Sequence, residues 1–115
     1  MTSRILIRGG RVIDPANNVD SSLDVLVADG IIAEIGEGLS SDEARVVDAS
    51  GLLVLPGFVD LHTHLREPGF EYRATLESEM RAALAGGVTS LSCPPDTDPP
   101  LDEPGLVEML KHRAR

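Results

Sequence analysis

His62-Thr63-His64 is the part of this sequence best equipped to do chemistry. In an extended chain, side chains two residues apart share a face, about 6 to 7 Å apart along the backbone, so both imidazoles can converge on one point. Neutral imidazole suits a divalent metal, zinc above all. Arg66 follows two residues later with a planar fork of donors that matches a carboxylate. Asp60, just upstream, either orients a ligand histidine or only ends its strand by bonding backbone. A His-x-His spacing alone equally describes surface histidines or satisfied core histidines. Its surroundings raise it above that: a Pro56-Gly57 break precedes it and a Glu67-Pro68-Gly69 turn follows.

The elements that must position these residues can be read outward from them. Phe58 to Leu61 is a mostly apolar run leading into His62, as in a parallel strand buried on both faces. A turn-rich stretch from Arg66 to Arg73 leads to a helix with Leu76, Met80, Ala83 and Leu84 on one face. Glu77 and Arg81 can pair at i,i+4, and Gly86-Gly87 supplies the stop. Val88 to Cys93 reads as the next strand. Pro94 to Pro100 holds four prolines and cannot be regular structure. A last helix follows, capped by Asp102, with Pro104 in its first turn, Leu106, Val107 and Leu110 on one face, and Lys111, Arg113 and Arg115 near its negative end. Residues 56–115 thus spell two βα units.

Residues 1–55 are written in short alternating pieces. Arg4–Arg8 and Arg11–Asp14 flank Gly9-Gly10 and read as a tight hairpin. Leu23, Val25 and Val27 lead through Asp29-Gly30 into Ile31–Ile35 as a second. Arg45–Asp48 and Leu52–Leu55, separated by three residues, read as a third pair. The expectation is a small antiparallel β region. The fold class is therefore α/β, with 1–55 as one part and 56–115 as another. A closed (β/α)8 barrel takes about 250 residues, so the chain is expected to be the N-terminal portion of something longer.

Composition narrows the function classes. Ten Lys plus Arg against 19 Asp plus Glu give a formal charge of −9, unsuited to a phosphate backbone or an anionic membrane surface. No apolar run reaches the roughly 18 residues of a membrane helix, and no signal core opens the chain, so a cytoplasmic location is expected. The single cysteine, Cys93, cannot form an intrachain disulfide and reads as a small buried hydrophobe. His112, in the last helical turn, is assigned no chemistry. Glu77, Glu79 and Glu108 read as solvated helix faces.

The block Pro56-Gly57-Phe58-Val59-Asp60-Leu61-His62-Thr63-His64-Leu65-Arg66-Glu67-Pro68-Gly69, with Ala85 to Ser90 and Cys93 to Pro100, resembles the amidohydrolase superfamily and, within it, the dihydroorotase family. Ile7-Arg8-Gly9-Gly10 also looks like the start of that family's small β-rich domain. The resemblance implies a metal-dependent-hydrolase TIM (β/α)8 barrel, with 1–55 as part of a composite β-sandwich domain. It further implies hydrolysis of the ring amide of dihydroorotate, reversibly, to N-carbamoyl-L-aspartate in pyrimidine synthesis. His62 and His64 would be ligands of one or two zinc ions, and Arg66 would bind the substrate carboxylate. The remaining ligands and the acid-base carboxylate would lie further on, so residues 1–115 alone would be inactive.

One departure stands out. Where the family usually reads Met-Pro-Asn-Thr, this chain has Pro94-Pro95-Asp96-Thr97, so an amide donor to the substrate is replaced by an acid that accepts and repels anions. Asp96 is then turned away, protonated or Arg-paired, or the substrate is not dihydroorotate. It is also simply part of a proline-rich turn on the bland reading. Two alternatives follow: a hydantoin or allantoin ring, or a metal-free scaffold for aspartate transcarbamoylase, against which both histidines count. Small-molecule substrates are the expected partners, and an oligomer is compatible with the sequence.

Overall fold

A computed structural model describes residues 4–40 and 42–114. The chain divides into two compact units, Met1–Pro56 and Gly57–Arg115. The first unit is one mixed sheet. Strand β1 spans Arg4–Asp14, β2 Val19–Ala28, β3 Ile31–Gly36, β4 Arg45–Asp48 and β5 Leu53–Val54. β1 pairs antiparallel with β2, and β2 with β3. The Asp29-Gly30 turn between β2 and β3 has φ of 51° and 78°, the left-handed pair that suits a two-residue hairpin.

Two of the three expected hairpins are corrected. Gly9-Gly10 is no turn: β1 runs through it, and its register against β2 slips between Ile7 and Gly10. Only Gly9 has positive φ, +72°, which makes a bulge and not the two-residue reversal read from the sequence. The chain instead reverses at Pro15–Asn17, a single 3₁₀ turn that Asp14 caps. β4 and β5 do not form a hairpin with each other; both lie parallel to β1, against Ile5–Arg8 and Arg11–Val12. The four residues between them, Ala49 to Leu52, let the chain step outward beside the β1 bulge and continue in the same direction.

Asp24 ties this unit together. Its carboxylate is buried and accepts from the Gly9 N–H, freed by the bulge, at 2.8 Å, and from the Leu39 N–H at 3.0 Å. Two otherwise unpaired backbone donors are satisfied by one side chain. Asp24→Ala is expected to destabilise the unit by about 3 kcal/mol, since bonds to a charged acceptor are worth about 1.5 to 3 kcal/mol each. Urea unfolding of wild type and variant measures it. Nearer the surface, Arg11 grips Asp20 through two bonds of 2.7 and 2.8 Å, which hold the Asp20 carboxyl below its usual range.

The second unit contains β6, Phe58–Asp60, and β7, Val88–Leu91, paired in parallel and joined through α1, Leu76–Ala85. Helix α2 spans Pro104–Arg113. Thr75 caps α1 in a reciprocal box with Ser78: the Thr75 hydroxyl accepts from the Ser78 N–H while the Ser78 hydroxyl accepts from the Thr75 N–H. Glu77 pairs with Arg81 at 2.9 Å, as its spacing predicts. At α2 the cap is Glu103, one residue later than expected, and it makes no side-chain capping bond. Pro104 takes the first helical position, where its missing N–H leaves nothing unpaired. Arg115 lies outside the described residues.

Leu65, Leu76 and Leu110 form the core of this unit, with Met80, Leu91 and Cys93 packed around them. β6 is not buried on both faces here. Phe58, Val59 and Leu61 are 55%, 63% and 78% exposed, because among the described residues β6 pairs with β7 alone and α1 packs on β7. Among the described residues no helix is long and apolar enough to cross a membrane.

Candidate metal and anion site

Parallel pairing places the carboxyl ends of β6 and β7 side by side, so the two loops that leave them meet. The ladder extends one step beyond the strands: the Ser92 N–H donates to the Asp60 carbonyl at 2.8 Å, and the Thr63 N–H to the Ser92 carbonyl at 2.9 Å. His62 and His64 leave from this edge. Their ring centroids are 4.7 Å apart with the planes perpendicular.

Asp60 does not reach a histidine ring; its carboxylate accepts from the His62 backbone N–H at 2.9 Å. That bond is the main reason its carboxyl lies below its usual range. Of the two roles open to Asp60, strand termination describes the contact it makes.

Asp96 faces His64. Its carboxylate lies 2.5 Å from His64 Nδ1, and this hydrogen bond first, with a smaller contribution from the field of Arg66, holds the carboxyl below its ordinary range. Ionised Asp96 accepts this bond, so Nδ1 is the ring nitrogen that donates. A carboxylate behind an imidazole both orients the ring and raises its basicity as a ligand. Neither loop's own residues announce this contact. Its signal was present in two βα units in parallel, whose following loops must share one end of the sheet.

Arg66 stands on a pinned backbone. Leu65 before it is sunk in the core at 4% exposure. The Arg66 N–H donates to Glu79 Oε2 at 2.9 Å, and the Arg66 carbonyl accepts from the Phe70 N–H at 2.8 Å. Glu67 after it is 3% exposed, accepts from the Leu76 N–H at 2.9 Å, and forms an ion pair with Arg113 that lacks hydrogen-bond alignment. Among the described residues the Arg66 guanidinium has no ion-pair partner. Glu79 is thus more than the solvated face expected of it. Glu108 fits that description, pairing with Lys111 at the surface.

A structural zinc takes four donors, and a catalytic one keeps a position open. Among the described residues no cluster of three or more His, Cys, Asp or Glu side chains could hold a metal ion. The donor chemistry nevertheless fits two positions of such a shell: paired imidazoles, one of them held through Nδ1 by Asp96.

A model described as the amidohydrolase family matches residues 45–91, which include both histidines and Arg66. Dihydroorotase from Solibacter usitatus is 52% identical over 111 residues, 96% of this chain and 26% of the relative. Dihydroorotase from Citrifermentans bemidjiense is 46% identical over 112 residues, with the same two shares. Over residues 45–91 the chain is similar to the amidohydrolase family. It spans about a quarter of the length of the curated relatives it matches. Among solved amidohydrolase-like structures, an L-hydantoinase (dihydropyrimidinase) from Arthrobacter aurescens superimposes with a TM-score of 0.85 at 30% identity, over 99% of this chain and 25% of that one. The α/β class read from the sequence therefore stands, with β6, α1, β7 and α2 as βα units like those of the TIM-barrel amidohydrolases.

Proposed function

We propose that this protein is a zinc-dependent cyclic amidohydrolase of the dihydroorotase type, opening dihydroorotate reversibly to N-carbamoyl-L-aspartate in the cytoplasm during pyrimidine synthesis. The observation that carries the proposal is the loop from His62 to Arg66: two imidazoles side by side, and two residues on a guanidinium with no ion-pair partner among the described residues. Dihydroorotase relatives at 46% and 52% identity support the choice of ring.

His62 and His64 would hold zinc, one ion or one of two, with further ligands and the acid-base carboxylate supplied from outside residues 1–115. Bound there, the ion supplies Lewis acidity and a water that ionises near neutral pH. Asp96 keeps the His64 Nδ1 proton in place, so this side chain serves the metal side of the site and not as an amide-like donor to substrate. Its charge also leaves Arg66 as the group suited to an anion. Arg66 would take the ring carboxylate bidentately and hold the amide against the metal. Residues 1–55 are read as part of a composite β-sandwich domain and 56–115 as barrel.

A hydantoin-type ring is the second reading, favoured by the L-hydantoinase likeness. Kinetics on both rings separate the two. The full chain should open dihydroorotate and leave hydantoin nearly untouched; the reverse preference ends the dihydroorotase proposal. Arg66→Met should raise KM for dihydroorotate by about 100-fold, the order expected when a bidentate charged pair worth about 3 kcal/mol is lost. An unchanged preference for the acidic ring removes Arg66 from its assigned role.

A further inference from the structure

Arg66 is held more firmly than a surface loop requires. Three successive residues are each tied down by a different device: Leu65 by the core, the Arg66 backbone by Glu79, and Glu67 by the first N–H of α1 and by Arg113 of α2. Both backbone polar groups of Arg66 are bonded, to Glu79 and to Phe70, while its guanidinium has no ion-pair partner among the described residues.

Shape alone would have been met by apolar packing. Burying a carboxylate is unfavourable unless its lone pairs are met, and Glu67 is 3% exposed. What charged acceptors add is direction, because a bond from an N–H to a carboxylate is shorter and stronger than one between neutral groups. Glu79 reaches from the first turn of α1 to the one N–H whose position sets where the Arg66 side chain begins.

We propose that Glu79, backed by Glu67, is a positioning residue that fixes the Arg66 guanidinium for a ring carboxylate, setting affinity for acidic rings without touching them. The proposal rests on the reading of Arg66 given under the proposed function. Glu79 would then act on ground-state binding of the anion and leave the metal chemistry alone.

The test uses the full chain loaded with zinc, with Glu79→Ala, Glu79→Gln and Glu79→Asp beside wild type, and dihydroorotate and neutral hydantoin as rings. Misplacing a binding group by about 1 Å can cost about 100-fold, so Glu79→Ala should raise KM for dihydroorotate by about 10- to 100-fold. Its kcat should change by less than about threefold, the signature of lost uniform binding. Any residual turnover of hydantoin and the zinc content should not move. Glu79→Gln keeps an acceptor oxygen and should restore KM to near the wild-type value. Hydrogen exchange at the Arg66 amide should quicken in the alanine variant and recover in the glutamine variant. Should Glu79→Ala fail to fold, Glu79→Asp, whose carboxylate falls one methylene short, should show the same selective rise in smaller degree.

An unchanged KM for dihydroorotate, equal losses on both rings, or a glutamine variant no better than alanine overturns the proposal. A wild type that turns over no acidic ring brings down the dihydroorotase reading and this proposal together. A wild type active on dihydroorotate, with variants that do not discriminate between rings, brings down this proposal alone.

Discussion

Alanine at both His62 and His64 should strip zinc from the full chain and lower turnover of dihydroorotate by at least about 1,000-fold. Lewis-acid stabilisation is worth several kcal/mol of barrier, and each 1.36 kcal/mol is a factor of ten. The loss would be chemical and not one of folding. Both histidines are exposed, and neither belongs to the Leu65, Leu76 and Leu110 core. Surface changes of this kind usually alter stability by no more than about 0.5 kcal/mol. Metal content, turnover and thermal unfolding of the same preparations measure all three. Normal turnover by the double variant would end the metal assignment for these residues.

Gly69→Ala should be a severely damaging methyl group in the second unit. Gly69 has a φ of +98°, and a Cβ there would overlap the Asp98 carbonyl oxygen. The backbones of the two site loops touch at this point, where the Asp98 N–H donates to the Pro68 carbonyl at 3.2 Å. Strain at such a φ costs about 1 to 3 kcal/mol and overpacking a similar amount, so a loss of about 3 kcal/mol or more is expected. The loops would also part, drawing Asp96 away from His64, and zinc affinity should fall by about 10- to 100-fold. Gly30→Ala is the control. Gly30 also has positive φ, +78°, but a Cβ there meets nothing within 4 Å, so only the backbone term of about 1 kcal/mol applies. Urea midpoints for the two variants and a zinc titration of the first provide the comparison. Equal, small effects would show that the loops do not depend on their contact at Gly69.

What could be read from the sequence was what local periodicity and punctuation encode. The face of α1 that carries Leu76 and Met80, the Glu77–Arg81 pair and the Asp29-Gly30 turn all follow from spacing within a few residues. The alternating β-rich opening and the βα order after Pro56 follow in the same way. What escaped depended on partners distant along the chain. Gly9-Gly10 offers the same local freedom to a hairpin and to a bulge, and the choice was made by β4 and β5 lying parallel to β1. The cap of α2 is a local exception: it falls at Glu103 and not Asp102, with Pro104 taking the first helical position. Exposure of β6 depends on what covers it, which its own residues do not encode.

The site divides along the same line. The candidate residues His62, His64 and Arg66 sit on one short loop and are singled out by type and spacing alone. Asp96, 32 residues beyond His64, and Glu79, 13 beyond Arg66, act across the sheet end and from a helix turn. Their residue types alone, an acid in a proline-rich loop and an acid in a first helical turn, had ordinary explanations. Only the parallel register of β6 and β7 gives Asp96 a histidine to face.

The central claim is that these two imidazoles share a divalent cation. X-ray absorption at the zinc edge, on the full chain purified with zinc, tests it most directly. At least two imidazole nitrogens at about 2.0 to 2.1 Å are predicted in wild type, and both should vanish from the spectrum of the His62→Ala, His64→Ala variant. A zinc shell unaltered by that double substitution, or stoichiometric zinc bound without any imidazole, would contradict it.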